Sequence, residues 1–213
     1  MNDQIYLIGD VHGCYKTLCA LIDRLPRGAD SKICFVGDLI DCGEGSFKVV
    51  QLAMRRGYVA VMGNHEYRLL QHKDAFLRGE RPSDPRWSYL NGGAQTFASY
   101  VKASRTQKLA HLEFLSNLPL YLELAEFKIA QGRRLVASHS AIGRMWVLRN
   151  SHGDSAAEFR RHVLCGRGDF SQNEGVFNVY GHTPIASPDI TEFSANIDTG
   201  CVYRHGFGRL CAL

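Results

Sequence analysis

The sequence predicts an α/β fold in one domain, with two packed sheets and helices on their outer faces. The first half alternates short apolar runs with amphipathic segments, a pattern typical of βαβ units and a parallel sheet. The second half has several apolar runs with few helical segments between them, which indicates paired strands. A length of 213 residues, of which 45% are hydrophobic and 22% charged, suits one soluble domain with a sizeable core.

In the first half, each predicted strand is followed by a helix. The loop after the first apolar run leads into a segment whose apolar residues share one helical face, and Pro26 ends that segment. The predicted strands are 4–8, 33–36 and 58–62, and the predicted helices are 15–25, 47–54 and one that starts near His65.

The second half predicts helices at 106–118 and 154–163 among six strands, at 120–124, 127–130, 134–138, 176–180, 195–197 and 208–212. Between the halves, residues 72–93 form a polar stretch interrupted by glycine and proline. We interpret this stretch as an inserted cap or loop that borders the site and lends Arg86 or Trp87 to the substrate. The alternative is a surface excursion without a role. Residues 1–213 are otherwise interpreted as one domain.

Charge and cysteine content exclude several classes of protein. The net charge of +4 comes without any block of basic residues, so nothing argues for a nucleic-acid partner or a membrane partner. The N-terminal apolar run is too short for a signal peptide, and no stretch approaches the length of a membrane span. The seven cysteines are odd in number and form no C-x-x-C pair, which favours reduced thiols. We therefore expect a cytoplasmic protein; its oligomeric state is left open.

Five of the apolar runs end in Asp, Asn or His. A core needs no such side chains at its strand ends, so a two-metal site explains them better than turn chemistry does. Carboxylate and amide oxygens suit hard divalent cations, and imidazole adds affinity for manganese, iron or zinc. Asp10 and His12 would serve one ion, and Asn64, His139 and His182 would serve the other.

The sequence also predicts a proton donor, or general acid, beside the metal ligands. A two-metal site supplies a hydroxide for attack on phosphorus, because the cations lower the pKa of bound water. The departing oxygen then needs a proton donor, and His65 lies directly beside the predicted ligand Asn64. Asp41 is positioned to orient His65.

Five motifs, taken together and in order, resemble those of the phosphoprotein phosphatase family of calcineurin-like metallophosphoesterases. The similarity is to the compact bacterial and phage branch typified by the bacteriophage lambda serine/threonine protein phosphatase. It extends from Gly9 to Gly200 and includes Trp87. The motifs are GDVHG at 9–13, GDLID at 37–41, GNHE at 63–66, SH at 138–139 and GHT at 181–183.

The resemblance implies a four-layer sandwich of two mixed sheets flanked by helices, and a dinuclear site that usually holds manganese. It implies that Asp38 is shared by both metals, with Asp10 and His12 on the first. The second metal would be held by Asn64, His139 and His182, and His65 with Asp41 would form the acid pair. Asn64 would also contact the substrate.

One departure from the family lies at Cys42, where the family has an arginine that binds the substrate phosphate. A thiol cannot replace the bidentate hydrogen bonds of a guanidinium. Arg167 matches the family's other phosphate-binding arginine.

These features predict a metal-dependent phosphomonoesterase, most similar to a serine/threonine protein phosphatase, that uses the metal-bridging hydroxide. Its substrates would be phosphoproteins or small phosphate esters. Two alternatives stay open: a symmetric diadenosine tetraphosphate hydrolase on the same fold, and a metal-retaining phospho-binding module whose catalysis is impaired through Cys42.

Overall fold

The computed structural model describes residues 4–80, 84–129, 132–168, 173–203 and 207–213. Its strands, in chain order, are β1 (Ile5–Ile8), β2 (Lys32–Phe35), β3 (Val59–Ala60), β4 (Tyr121–Lys128), β5 (Arg134–Ser138), β6 (Val176–Tyr180), β7 (Asp189–Ile190) and β8 (Ser194–Asn196). Its α-helices are α1 (Tyr15–Ile22), α2 (Ser46–Arg56), α3 (Asn64–Gln71), α4 (Lys73–Arg78), α5 (Gly93–Ser99), α6 (Arg105–Ser116) and α7 (Gly153–Cys165).

Within the described residues, the strands form two sheets. The first has the order β1-β2-β3, and its strands are parallel. The second has the order β4-β5-β6-β8-β7, in which β5, β6 and β8 are parallel and the outer strands β4 and β7 are antiparallel to their neighbours. The parallel strands of each sheet therefore carry their carboxyl ends at a common edge.

The side chains of the sheets alternate between separate cores, as expected from the two-residue period of a strand. Ile33 and Phe35 of β2 pack in the core beneath the helices, whereas Cys34 packs in a second core between the two sheets. On β5, Val136 belongs to a third core that also contains Phe159 of α7. The molecule therefore has four layers, helices, sheet, sheet and helices, and this confirms the predicted α/β sandwich.

The helices keep their predicted places with shifted ends. The first ends at Ile22, short of the predicted Leu25, and the last extends to Cys165. The third strand is reduced to two paired residues, Val59 and Ala60. Predicted strands 120–124 and 127–130 join into the single strand β4, which has an irregular register between Glu123 and Lys128; residue 130 lies outside the described residues.

The segment 72–93 is more ordered than its composition predicts. It contains α4 and a π-helix, Arg86–Leu90, and is followed by α5, which the sequence did not predict. The signal for α5 is weak because it begins at a Gly-Gly pair. Positions 81–83 lie outside the described residues.

The predicted strand 208–212 is reduced to a single antiparallel bridge between Ala212 and Ile8. Leu7 and Leu213 exchange backbone hydrogen bonds at 3.0 and 2.9 Å. The chain end therefore runs antiparallel along β1, and it supplies the mixed character predicted for the first sheet. Among the described residues, no helix is both long and apolar enough to cross a membrane.

Candidate metal centre

The candidate ligands follow the carboxyl ends of parallel strands in both sheets. Because the two sheets are packed together with these ends on the same side, their loops converge there. The ligands come after β1 (Asp10, His12), β2 (Asp38), β3 (Asn64), β5 (His139) and β6 (His182).

One carboxylate oxygen lies at the centre of this group. Asp38 Oδ2 lies 3.4 Å from His139 Nε2, 3.6 Å from His12 Nε2 and 3.8 Å from His65 Nε2. Burial alone raises the pKa of Asp38, but the imidazoles, His139 first, hold it well below its usual range. Asp38 is therefore an anion placed between two sets of nitrogen donors.

The second set of donors gathers around His139. Its Nε2 lies 2.8 Å from Asn64 Oδ1 and 3.1 Å from His182 Nδ1. Asp38, His139 and His182 place ligand atoms within 4.8 Å of one another, the spacing of groups that can share one cation. Asn64 adds an amide oxygen to the same space.

The backbone fixes which nitrogen of each histidine faces the centre. His139 Nδ1 lies 3.0 Å from the carbonyl oxygen of Val36, and His12 Nδ1 lies 3.1 Å from that of Ile40. A carbonyl can only accept, so each Nδ1 carries the proton and each Nε2 presents a lone pair. Burial also lowers the pKa of His12 and His139, and it lowers that of His182 to about 3. Neutral imidazoles of this kind fit a metal ion.

Asp10 contacts the backbone of the loop that follows β6. Its Oδ2 accepts the backbone N–H of His182 at 3.1 Å, and its buried Oδ1 has no partner among the described residues. Burial, then Asp198 and Asp38, raise its pKa well above the ordinary value. The donor group that contains His12 and Asp38 also includes His65, and Asp10 remains a predicted ligand. An unpartnered buried carboxylate oxygen beside other acids nevertheless fits a site for divalent cations.

Strained backbone marks the same loops. Among the described residues, the non-glycine residues with positive φ are His12 (45°), Asp38 (49°), Asp41 (70°), Cys42 (60°) and His182 (68°). Left-handed conformations of this kind cost free energy and concentrate at functional sites. The strain thus falls on three of the predicted ligands, on Asp41 of the acid pair and on the neighbouring Cys42.

His65 and Asp41 form a tight pair at the side of the centre. His65 Nδ1 lies 2.6 Å from Asp41 Oδ2. Burial opposes a charge on the imidazole, but Asp38 and the hydrogen bond to Asp41 outweigh it and raise the pKa of His65 to about 9. The geometry therefore suits a proton donor.

Glu66 has a structural role. Its fully buried carboxylate accepts the backbone N–H groups of Gly63, Asp38 and Leu39 at 2.9 Å each, and that of Ile40 at 3.3 Å. It therefore ties the loop after β2 to the start of α3.

The centre opens into a cavity of about 210 Å³ that Arg167 and Cys42 line together with Asn64 and His65. Arg167 lies on the open side, where Nη1 donates to Thr183 Oγ1 at 3.5 Å. The Cys42 thiol donates to the carbonyl of Asn91 at 3.7 Å. Burial, with Asp41 and Asp38, raises the pKa of Cys42 to about 12, so the thiol is neutral.

The sequence did not predict a role for Asp198 or Thr96 in the site, and it did not predict the contact that Trp87 makes. Asp198 lines the cavity, and burial raises its pKa to about 6. Its signal was available, because β8 also leads into an acid at the same edge. Arg86 or Trp87 was predicted to contact the substrate; Trp87 is fully buried and donates to Asp41, as does Thr96. No local pattern marks either contact.

Comparison with known proteins agrees with this geometry. The family model described as calcineurin-like phosphoesterase matches residues 4–189. The chain therefore belongs to the calcineurin-like phosphoesterase family. This confirms the expectation that the chain is a calcineurin-like metallophosphoesterase.

Two curated relatives are both named bis(5'-nucleosyl)-tetraphosphatase PrpE (asymmetrical). The protein from Geobacillus thermodenitrificans is 31% identical over 99% of this chain and 89% of its own length. The protein from Oceanobacillus iheyensis is 29% identical over 94% of this chain and 85% of its own length. Both of these relatives are thus named as tetraphosphatases, whereas the sequence motifs predicted a lambda-type phosphatase.

Solved structures share the fold. A candidate diadenosine tetraphosphatase gives a TM-score of 0.61 at 20% identity, covering 98% of this chain and 92% of that one. A Saccharomyces cerevisiae serine/threonine phosphatase gives 0.52 at 13% identity, covering 98% and 78%.

Proposed function

We propose that this protein hydrolyses phosphoric esters or anhydrides with the help of two divalent cations, manganese first among the candidates. One observation carries the proposal. Asp38 Oδ2 lies within 3.8 Å of imidazole nitrogens from two donor groups, and the His65–Asp41 pair adjoins it. Asp10, His12, Asp38, Asn64, His139 and His182 would hold the cations, which when bound supply an acidified water for attack on phosphorus.

The remaining steps belong to side chains of this chain. Arg167 and Asn64, which line the cavity, bind the oxygens of the phosphoryl group. His65 donates the proton of its Nε2 to the departing oxygen, while Asp41 holds its Nδ1–H. The phosphoryl group passes directly to water, so no covalent intermediate with the protein is needed.

We propose dinucleoside tetraphosphates as the first substrate class. The named relatives support this choice, and so does a second cavity of about 660 Å³ that shares Arg167 with the metal cavity. We call it the arginine pocket; Arg144, Arg161 and Arg167 line it with one carboxylate, Glu158. A substrate with several phosphates beyond the scissile bond matches this excess of positive charge, whereas a lone phosphomonoester does not extend so far.

Phosphoserine and phosphothreonine proteins are the second substrate class, supported by the acid pair. A seryl alkoxide is a much stronger base than a nucleotide phosphate, so its departure depends more on a proton donor. The 2.6 Å contact between His65 and Asp41 is the feature that a monoesterase needs. We retain the cytoplasm as the proposed compartment for either substrate.

The test is phosphate-bond hydrolysis by metal-stripped protein with and without added manganese. A phosphoserine peptide, an aryl phosphate and diadenosine tetraphosphate are offered in parallel, and the nucleotide products are separated by chromatography. Asymmetric cleavage with one water gives ATP and AMP; symmetric cleavage gives two ADP. We expect manganese-dependent turnover of the tetraphosphate to ATP and AMP.

The control is Asp38→Asn, which removes the shared anion with little change in size. We expect it to abolish turnover of every substrate, because both donor groups lose their common ligand. Turnover of the monoesters alone would select the second substrate class. Metal binding without turnover of any of the three would instead identify a phospho-binding module and overturn the proposal.

A further inference from the structure

The carboxylate of Asp41 receives hydrogen bonds from outside the metal centre. Trp87 Nε1–H donates to Asp41 Oδ2 at 2.6 Å, and this is the oxygen that also faces His65 Nδ1 at 2.6 Å. Thr96 Oγ1 donates to Oδ1 at 2.5 Å. Asp41 is fully buried, so these contacts define its orientation.

The backbone of Asp41 is held by the same group. Its N–H lies 2.9 Å from Thr96 Oγ1 and 3.1 Å from Ser46 Oγ, and the two hydroxyls are 3.1 Å apart. Since the φ of Asp41 is 70°, these bonds also hold a conformation that a non-glycine residue seldom adopts.

Trp87 is itself immobilised. Its indole is fully buried, stacks on His72 with ring centroids 5.0 Å apart, and meets the edge of Phe97 at 5.8 Å. Gly93 lies so close that a β-carbon there would fall 2.7 Å from Trp87 Cε2. The indole N–H therefore points at Asp41 from a packed position, and reorienting it would require α5 and the π-helix to move.

We propose that Trp87, supported by Thr96, is a positioning residue for the acid of the reaction. The inference rests on the proposed function, because it assigns His65 the role of acid. An indole N–H can only donate, so Oδ2 of Asp41 accepts from Trp87 and from His65 Nδ1 at once. The imidazole thereby keeps its Nδ1 proton toward Asp41 and presents Nε2 to the cavity, where the departing oxygen takes the proton.

The described residues of this segment, 72–80 and 84–99, thus help to position the acid, a role that their composition does not reveal. They do not extend Trp87 to the substrate. They supply the donor that fixes the carboxylate behind the acid, so the geometry of the acid depends on how this segment packs on α2 and α3.

The first experiment compares leaving groups in Trp87→Phe. Phenylalanine keeps an aromatic ring between His72 and Phe97 but removes the N–H. With the manganese-loaded protein we expect kcat/KM for an alkyl phosphate to fall about tenfold, because a basic alkoxide needs the proton. For 2,4-dinitrophenyl phosphate, whose leaving group needs none, we expect a change of less than about twofold.

Two controls make the comparison specific. Trp146→Phe makes the same change at the other tryptophan of the chain, whose Nε1 has no partner among the described residues; it should alter neither rate. In an Asp41→Asn background, Trp87→Phe should cause no further loss on the alkyl phosphate. Equal losses on both substrates, or a full further loss in that background, would show that Trp87 only shapes the cavity.

The second experiment needs no turnover and no metal. The ¹⁵N-labelled protein should give two indole N–H signals in its NMR spectrum, one for each tryptophan. The N–H of Trp87 is hydrogen-bonded to Asp41, whereas that of Trp146 has no partner among the described residues. We expect the Trp87 signal, assigned from its absence in Trp87→Phe, to lie downfield of that of Trp146 and to exchange more slowly. Asp41→Asn should shift the Trp87 signal alone.

The two experiments also separate this inference from the proposed function. If no substrate is hydrolysed by the parent protein, the proposed function fails, and with it the acid role assigned here. If hydrolysis occurs but Asp41→Asn leaves the Trp87 signal unmoved, the proposed function stands and the positioning role is overturned.

Discussion

At the scale of single residues, the site is built from conformations that local sequence preferences disfavour. His12 and Asp38 combine positive φ with burial, so neither the backbone nor the solvation of these side chains is favourable by itself. Glu66 offsets part of this cost at Asp38, since one carboxylate satisfies several N–H groups of the strained loop. A cation between the donors would offset more of it.

Residue type and order were enough to predict which side chains meet at the centre, but not all of their contacts. Asp38 and His139 were predicted from the strand ends, because the ends of parallel strands converge whatever the details of packing. Asp10 accepts the backbone N–H of His182, a residue with a φ of 68°, and no sequence pattern prescribes either feature.

Cys42 gives the first prediction at this scale. Its side chain lines the metal cavity as a neutral thiol. Cys42→Arg should place a guanidinium there and lower KM for an aryl phosphate about tenfold, since a charge-assisted bidentate hydrogen bond contributes roughly 1.5–3 kcal/mol. Steady-state kinetics on the manganese-loaded proteins measures the effect.

The control for this prediction is Cys42→Met, which adds length without charge. It should leave KM unchanged or raise it slightly. If the arginine variant binds the aryl phosphate no better than the methionine variant, then Arg167 alone supplies the cationic contact, and Cys42 is a neutral replacement without effect on substrate affinity.

At the scale of elements, the sequence predicted βα units well and the helical segment before α6 poorly. Periodicity identifies α2 and α7 because each buries one apolar stripe against a sheet. The described residues of the region 72–99 instead pack around the single indole of Trp87, in short elements that include a π-helix. Contacts of that kind join residues that are distant in sequence, so they produce no periodic pattern of apolar residues from which the elements could be predicted.

Helix α7 carries the next prediction, at the arginine pocket. Arg161 lines that pocket, and it has no carboxylate within ion-pair distance in the part of the chain that the structure describes. Arg161→Gln should raise KM for diadenosine tetraphosphate about three- to tenfold and leave KM for an aryl phosphate unchanged, since only the longer substrate reaches the pocket. Kinetics at low ionic strength measures both values.

The matched control is Arg160→Gln, which removes the same charge from the preceding, exposed position of α7, outside the pocket lining. It should change neither KM by more than about twofold. The effect at Arg161 should also shrink near 1 M salt, where the Debye length falls to about 3 Å. Equal effects from both variants would mean that α7 acts only through its general charge.

At the scale of the whole molecule, the helical layer over the first sheet contains a buried histidine that the metal centre does not use. His111 of α6 is 1% exposed; it stacks on Phe47 of α2 with centroids 4.9 Å apart and lies 2.7 Å from the hydroxyl of Tyr100 through Nδ1. Its Nε2 has no partner among the described residues. Three segments of the layer therefore meet at a neutral imidazole.

This histidine couples the stability of the layer to pH. Burial lowers the pKa of His111 to about 4, whereas an unfolded histidine titrates near 6.5. Between these values the unfolded chain binds the extra proton, so the free energy of unfolding decreases as pH falls. The contribution is fully present above about pH 6.5 and is lost on approach to pH 4, a change on the order of 2 kcal/mol.

His111→Asn should remove this part of the acid sensitivity, because Asn Oδ1 can replace Nδ1 as the acceptor for Tyr100 but does not titrate. We expect the variant to be less stable than the parent at pH 7, where it loses the stacked ring, and the deficit to shrink by on the order of 2 kcal/mol by pH 4.5. Urea unfolding of the metal-free proteins at intervals across this range measures the difference. His152→Asn, an exposed site just before α7, controls for the loss of any histidine. If the stability deficit of His111→Asn stayed constant with pH, His111 would not be the source of the acid sensitivity. The folded layer would then accept a charged imidazole without loss of stability.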